Sequence, residues 1–596
     1  MAETDQNQIQ GDATVATNTE APTKLDTVGG DLLTERQDLV IAQATLPTTD
    51  TTNDTNTLVI PTETLVADAG KRTRQDATAT PEERYKQAKE RYDKRLNDYW
   101  SNLLKTRDSN KFTTEFPPRY EGPAKPKGVV EPKEPKTLPR LNDMFDGSRT
   151  LNRLLTGDPN QPDYSIRQVS ESQFKQSYAN EILKTATANG LTPDEAKNIV
   201  RRIYAFESGG AGTHEMLSGM PQDLLKEDKP GETTIADQRR AYRPNSTAIG
   251  YTQMLQYNTV RLFDTAAPEI STRLRQMAQE DPSRAQELTN KAQMVDNLQT
   301  LIGKELKSFA DASGPRPAGK EYIKDGKITD LCREDFAKSD VKLPGRDITG
   351  RQLSSSLHAF HMDGDVGPIL QSLELNHLLK FAKQNDFTGL LNQEKDAFNK
   401  RVSQYDALPQ ADKTKALTEI MSHIKPSANA SEADKKAFIA TRDALTTKIA
   451  ALGPGAGLEL AREKLNDAEN EMLNTKILQL KKFTDPAGPL SNSARLLMDK
   501  MFAARFGELT PEKLMPAALE LANLAGSGNA LLMLKNMDKP TTNFFSRRGY
   551  EGNPTSNGRT AEELLLQIHR NMHGPNGDPL RRPGVDGLLK AFDAIK

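Results

Sequence analysis

Apolar residues along this chain recur almost everywhere at intervals of three and four, the spacing of one helical face. Strand-type alternation is scarce and no repeat of fixed period stands out, so the pattern predicts a mainly α protein. From Pro81, the stretch PEERYKQAKERYDKRLNDYWSNLLK sets Tyr85, Tyr92, Leu96, Tyr99, Trp100, Leu103 and Leu104 on one narrow face. This predicts an amphipathic helix over 81–108 that packs on another part of the molecule. Residues 1–80 lack such periodicity. They are rich in Thr, Asp, Asn and Gln, and the first seventy carry about twelve acids against two bases. That composition buries too little apolar surface to offset chain entropy, so a disordered acidic, Thr-rich tail is expected. Prolines every few residues over 109–150 predict an extended, semi-rigid linker. A globular helical region then covers 165–385, in which about 262–350 reads as inserted helices and loops. Residues 386–596 read as a separate α-helical region, broken at PQADK, KPSANASEADK and LGPGAGLEL.

One helix ends oddly. Thr192-Pro193-Asp194-Glu195 is a strong start, with Thr as cap, Pro in the first turn and Glu195 closing a capping box. Apolar positions follow at Ala196, Ile199, Val200 and Ile203, with Tyr204 beside them. Four residues beyond Ile203, on that same face, comes Glu207, and then Ser208-Gly209-Gly210 breaks the helix. The macrodipole is negative at a helix C-terminus and favours a cation there, so a carboxylate needs another reason. Seated at the edge of an apolar stripe, it is disfavoured in its charged form, and its pKa should rise toward the range of a general acid.

Bulk composition narrows the partners. The 596 residues carry a net charge of −2, with 27% charged residues, so no overall basic character asks for nucleic acid. Mean hydropathy is −0.68 and aromatics are only 6%, which fits a solvated chain. No run approaches the length of a membrane helix. The start, MAETDQNQIQGDATVATNTE, has neither a basic n-region nor an apolar h-region, so no signal peptide is visible. Cys332 is the single cysteine, and the seven histidines have no zinc spacing. Neither a metal nor a cofactor is expected.

Some forty residues past Glu207 lies YRPNSTAIGYTQMLQYNT. Glu207-Ser208-Gly209-Gly210, followed at this distance by Ser246, Ala248, Gly250 and Gln253, resembles the paired motifs of soluble lytic transglycosylases of the lysozyme-like superfamily. Tyr251 and Thr252 stand where that family commonly has Leu and Met. A third motif, roughly Ala-Tyr-Asn-x-Gly, has a counterpart in LHAFHMDGDVGPI, with Ala359, Phe360 and His361 in its first three places and an extra residue before Gly364. Phe360 lacks the Tyr hydroxyl and His361 replaces Asn. The chain is thus similar to a divergent member of that family over about 165–385, and nothing in the tails shares the likeness.

The resemblance implies a lysozyme-like lytic transglycosylase domain flanked by the disordered tail and the separate C-terminal helical region. It implies cleavage of the β-1,4 bond between N-acetylmuramic acid and N-acetylglucosamine in peptidoglycan, with Glu207 as the one acid and base and a 1,6-anhydro product. Ser208, Gly250, Tyr251, Gln253, Phe360 and His361 are the expected substrate-binding residues. Most glycosidases use two carboxylates. Glu215, Asp223, Glu227, Asp228 and Glu232 follow Glu207, but none sits in a motif. The run Arg239-Arg240-Ala241-Tyr242-Arg243 is a candidate lining for a groove that meets the peptide carboxylates of the wall polymer. Two other readings stay open: a hydrolase like the goose-type lysozymes, and a non-catalytic cell-wall-binding or assembly protein on the same fold. Peptidoglycan strands are the expected partner, and the substrate implies the periplasm or cell envelope, reached by a non-classical route. The tails leave room for a secretion-apparatus or phage-particle partner.

Overall fold

The computed structural model describes residues 80–595 except 109–110, 124, 127–137, 152, 154–159, 161–163, 208–212, 218–219, 222, 226–233, 245, 317–320, 428–429, 452–463, 486 and 574–582. The expected N-terminal tail, up to residue 79, and part of the expected linker lie outside the described residues.

The described chain is mainly helical. In order come α1 (Pro81–Asp108), α2 (Leu141–Arg149), α3 (Glu171–Ala188), α4 (Pro193–Glu207), α5 (Thr234–Ala241), α6 (Gln256–Thr265), α7 (Ala267–Glu280) and α8 (Ala285–Ala312). A short antiparallel hairpin, β1 (Ile323–Lys324) and β2 (Lys327–Ile328), pairs Ile323 with Ile328. Then follow α9 (Asp330–Lys338), α10 (Gly350–His358), a 3-10 turn over Ala359–Met362, α11 (Val366–Gln384), α12 (Phe387–Asp406), α13 (Gln410–His423) and α14 (Glu432–Ala451). The chain continues through α15 (Asp467–Glu471), α16 (Asn492–Phe506), α17 (Pro511–Ala525), α18 (Ser527–Lys535), α19 (Arg547–Gly552), α20 (Ala561–Asn571) and α21 (Pro583–Asp593).

Two apolar cores organise these helices. The first joins Trp100 and Leu103 of α1, Phe174, Tyr178 and Ile182 of α3, and Ile199, Val200, Ile203 and Tyr204 of α4 to the helices from α12 to α21. The second gathers α2, Met216, Leu217, Met220, Leu225, Ile249 and Met254, and α6 to α10. Helix α11 spans both: Val366, Ile369 and Leu370 enter the second core, while Leu375, Leu378, Leu379 and Ala382 enter the first.

The packing boundary therefore does not fall at 385/386. Helix α17 lies on α4, and α21 lies on both α3 and α4. A helix's apolar stripe shows on its own sequence, but the identity of the surface that covers it does not.

The expected 109–150 linker also differs. Residues Leu141–Arg149 are helical because Leu141, Met144 and Phe145 share one face, and all three are buried against α10. Burying such side chains contributes about 1.5–3 kcal/mol each, more than a spacer would use. Further upstream, the non-helical 111–123 segment is strapped to the C-terminal helices. Phe112 packs on Phe544 at 5.3 Å, and Asn543 exchanges hydrogen bonds of 2.9 Å with the Thr113 backbone.

Candidate functional site

Helix α4 begins at Pro193 as its capping box requires. Thr192 N donates to Glu195 Oε2 at 2.8 Å, and Glu195 N donates to Thr192 Oγ1 at 3.3 Å. Its apolar stripe, Ala196, Ile199, Val200, Ile203 and Tyr204, is buried, and Glu207 ends the helix partly buried on the same side. Ser208, Gly209 and Gly210 lie outside the described residues.

Helix α17 supplies Glu207's neighbours. Asn523 Nδ2 donates to Glu207 Oε1 at 3.4 Å, and the Glu520 carboxyl is hydrogen-bonded to that of Glu207. Burial pushes Glu207 above the usual glutamate range, against the lowering effect of the bonds from Glu520 and Asn523. Glu520 is fully buried. Burial first, and then the charge of Glu207, raise it well above that range. The Asn523 amide also acts on Glu520, against that rise. Two carboxyls in contact disfavour each other's ionisation.

The second motif folds against α4 one turn before Glu207. Ile249 bridges to Leu217 on one side and to Met254 on the other, and residues 250–253 make the turn between. Gly250 has φ of +76° there, and its N–H donates to Met216 O at 2.9 Å. A side chain would strain this left-handed position, although a Cβ would meet Gln371 Nε2 only at the ordinary contact distance of 3.4 Å. Gln253 also sits at positive φ, +46°, and its amide donates to Gly250 O at 2.9 Å and Met216 O at 3.4 Å. Its side chain thus closes the turn it belongs to. Ser246 Oγ accepts from Ala248 N at 3.2 Å at the entrance of the turn.

Tyr251 is fully buried, with its ring against Tyr204 of α4 at 4.8 Å and Tyr178 of α3 at 5.4 Å. Its hydroxyl donates to Glu171 Oε1. The expectation of a substrate contact is corrected here: an aromatic ring with no exposed face offers a sugar nothing to stack on. Tyr251 instead ties the turn to the acid's helix. Glu171 is a spectator carboxylate. Burial works to raise it, but His214 at 2.6 Å, Lys175 and the Tyr251 hydroxyl outweigh that and hold it at about 2.

Phe360 and His361 are likewise not on a surface. Phe360 is enclosed by Tyr164 at 5.0 Å and Phe263 at 5.5 Å in the second core. His361 is fully buried, its Nε2 within 2.8 Å of Thr259 Oγ1. Burial pushes its pKa well down, and His358 falls to about 4 for the same reason, so both rings stay neutral. They act at one remove: His358 Nε2 lies 2.7 Å from the Thr247 carbonyl and braces the second motif from behind. The residue types that suggested contacts came from the sequence, but a 3-10 turn directed them inward.

The basic run divides. Arg239 and Arg240 clamp the buried Glu215 at 3.2 and 3.0 Å, which neutralises that carboxylate. Arg243 lines a separate cavity of about 710 Å³ with Arg351 and Ser355. Among the described residues, no group of three His, Cys, Asp or Glu side chains could hold a metal ion. No described helix is long and apolar enough to cross a membrane.

Glu520 and Asn523 are the site residues that sequence reasoning missed. A signal existed: in PAALELANLAG, Glu520 stands between Leu519 and Leu521 in a run that leaves it no polar face. With known proteins as the comparison, the chain matches no family model, no curated protein and no solved structure.

Proposed function

We propose that this protein is a peptidoglycan lytic transglycosylase in which Glu207 is the single acid and base. The observation that carries this reading is the seat of Glu207: the last turn of an apolar helix, partly open, with its carboxyl held above the ordinary range by burial. A general acid for neutral pH needs that environment. The turn at 250–253 lies beside it, through Tyr251 on Tyr204. Glu207 would protonate the departing glycosidic oxygen, and the muramoyl N-acetyl group would support the sugar cation. The resulting carboxylate would then take the proton of the C6 hydroxyl as C6–O attacks C1, leaving a 1,6-anhydro ring.

Glu520 is not the second carboxylate that a two-carboxylate hydrolase would need. Such enzymes separate the two groups by about 5–5.5 Å or 6.5–9.5 Å, so that a sugar carbon or a water fits between them. Glu520 is hydrogen-bonded to Glu207 and so does not stand at either separation, and Glu227, Asp228 and Glu232 lie outside the described residues. The substrate would place the protein's work in the periplasm or cell envelope. The test is digestion of purified sacculi with product analysis by mass spectrometry. Anhydro-ended muropeptides are expected from the wild type, and Glu207→Gln should lower their release by at least about 100-fold with helical content unchanged. Undiminished release by that variant rejects the assignment.

A further inference from the structure

The region beyond residue 386 carries no motif, yet it delivers the one side chain that meets the acid head-on. Helix α17 crosses α4 so that Glu520 and Asn523, one turn apart, both face Glu207. Glu520 is 0% exposed and no cation among the described residues acts on it, while Glu207 keeps part of its surface open. Two carboxyls in contact, with the Asn523 amide and no cation beside them among the described residues, are most stable when a proton bridges them.

The charges nearby are engaged elsewhere. On α4, Arg202 hydrogen-bonds His573 and Arg201 hydrogen-bonds Asn198. On α12, Glu394 and Arg401 belong to a network with Asp499 and Glu562. On α20, Arg570 donates to Asn474 O, and the His569 ring lies beside Phe502 and His573. On α17 itself, Lys513 donates to Glu508 O. On α11, Glu374 pairs with Arg261, while Lys380, Lys383 and, on α18, Lys535 are exposed. What acts on the two carboxyls is burial, each other and Asn523.

We propose that Glu520 is the positioning partner of Glu207: the two carboxyls hold one proton between them at neutral pH, and α17 is thereby part of the reaction centre. This rests on the reading of Glu207 as the acid. When the C1–O4 bond breaks, O4 takes the proton that the pair shared, leaving two facing carboxylates whose repulsion makes Glu207 a stronger base for the next step. Removal of the C6 proton by Glu207, as the C6–O–C1 bond closes, restores the pair. Glu520 touches neither sugar and exchanges no atom with it.

The experiment compares full-length wild type, Glu520→Gln and Glu207→Gln, by infrared difference spectra at pH 7 and by pH profiles on sacculi. The wild type should show a protonated-carboxyl stretch that Glu520→Gln abolishes. In that variant the alkaline limb of kcat/KM should move down by about one pH unit, with kcat falling about tenfold and KM unchanged. A wild-type spectrum and profile in Glu520→Gln overturn the proposal while leaving Glu207 as the acid. The band present in a protein that never cleaves sacculi rejects the enzymatic reading alone. Glu520→Leu guards against misfolding, since it should fold and outlast the wild type on heating at pH 9. If neither variant folds, Glu520 is a structural requirement and the proposal fails.

Discussion

Two buried pairs of carboxyls in this molecule are treated in opposite ways. In the second core, Asp363 and Asp365 are surrounded by cations. Lys291 Nζ lies 3.1 Å from Asp363 and 2.5 Å from Asp365, and Arg284 and Arg167 reach Asp365 at 2.7 and 2.9 Å. Backbone N–H groups of Asp365 and Val366 complete Asp363 at 3.0 Å. Burial opposes the charge on Asp365, but Arg284, Lys291 and Arg167 prevail and keep its pKa low. Among the described residues no such cation acts on Glu207 or Glu520, and both pKa values rise. The first pair fastens the start of α11 and has no vacancy for chemistry. The second is raised by burial without a cation to offset it, which on the proposed function leaves a proton to transfer.

That contrast can be broken from either side. The largest expected effect is loss of function without loss of fold: Glu207→Gln should stop cleavage while its melting temperature stays near that of the wild type. Lys291→Met should do the reverse. It leaves two buried carboxylates short of a cation and should destabilise the fold by about 3–5 kcal/mol in urea titrations, with the Glu207 pair untouched. A loss under about 1 kcal/mol would show that the arginines suffice.

The pH dependence of stability should carry both signatures. Glu171, held at about 2 against an ordinary 4.5, stabilises the fold above the unfolded pKa. That contribution, roughly 3 kcal/mol, drains away as pH falls from about 4.5 toward 2. Glu207 and Glu520 are raised, so their contribution is full below the ordinary glutamate range and is lost as pH rises through their folded values. Melting curves across pH should fall at both ends, and Glu520→Leu should flatten the alkaline side only. The smallest effect is expected for Tyr251→Phe, which removes one hydrogen bond to Glu171 and should cost about 1–3 kcal/mol. Were that variant to lose activity with stability intact, Tyr251 would have to meet substrate after all.

Local features were largely legible in the sequence. The helix over 81–108 and the capped start of α4 follow from apolar spacing and from Thr80, Thr192 and their glutamates, all within a few residues of chain. The position of Glu207 on the apolar face follows from the same period. Phe360, His361 and Tyr251 show where such reading stops. Their types resembled a substrate groove, yet whether a ring faces solvent depends on Tyr164, Phe263, Thr259 and Tyr204, up to almost two hundred residues away. Residues 141–149 went unread because a proline-dense setting masked a three-residue apolar face.

By itself the sequence determined the helical periods, the caps and the placing of one carboxylate at the end of an apolar stripe. These depend on contacts three and four residues apart. Only the tertiary structure decided that α17 lies across that stripe and that Glu520 and Asn523 confront Glu207, more than three hundred residues away in the chain. The physical reason is that burying an apolar face lowers free energy almost regardless of which apolar face covers it. The choice of partner is therefore set by the packing of the whole, and with it the proton that the acid can keep.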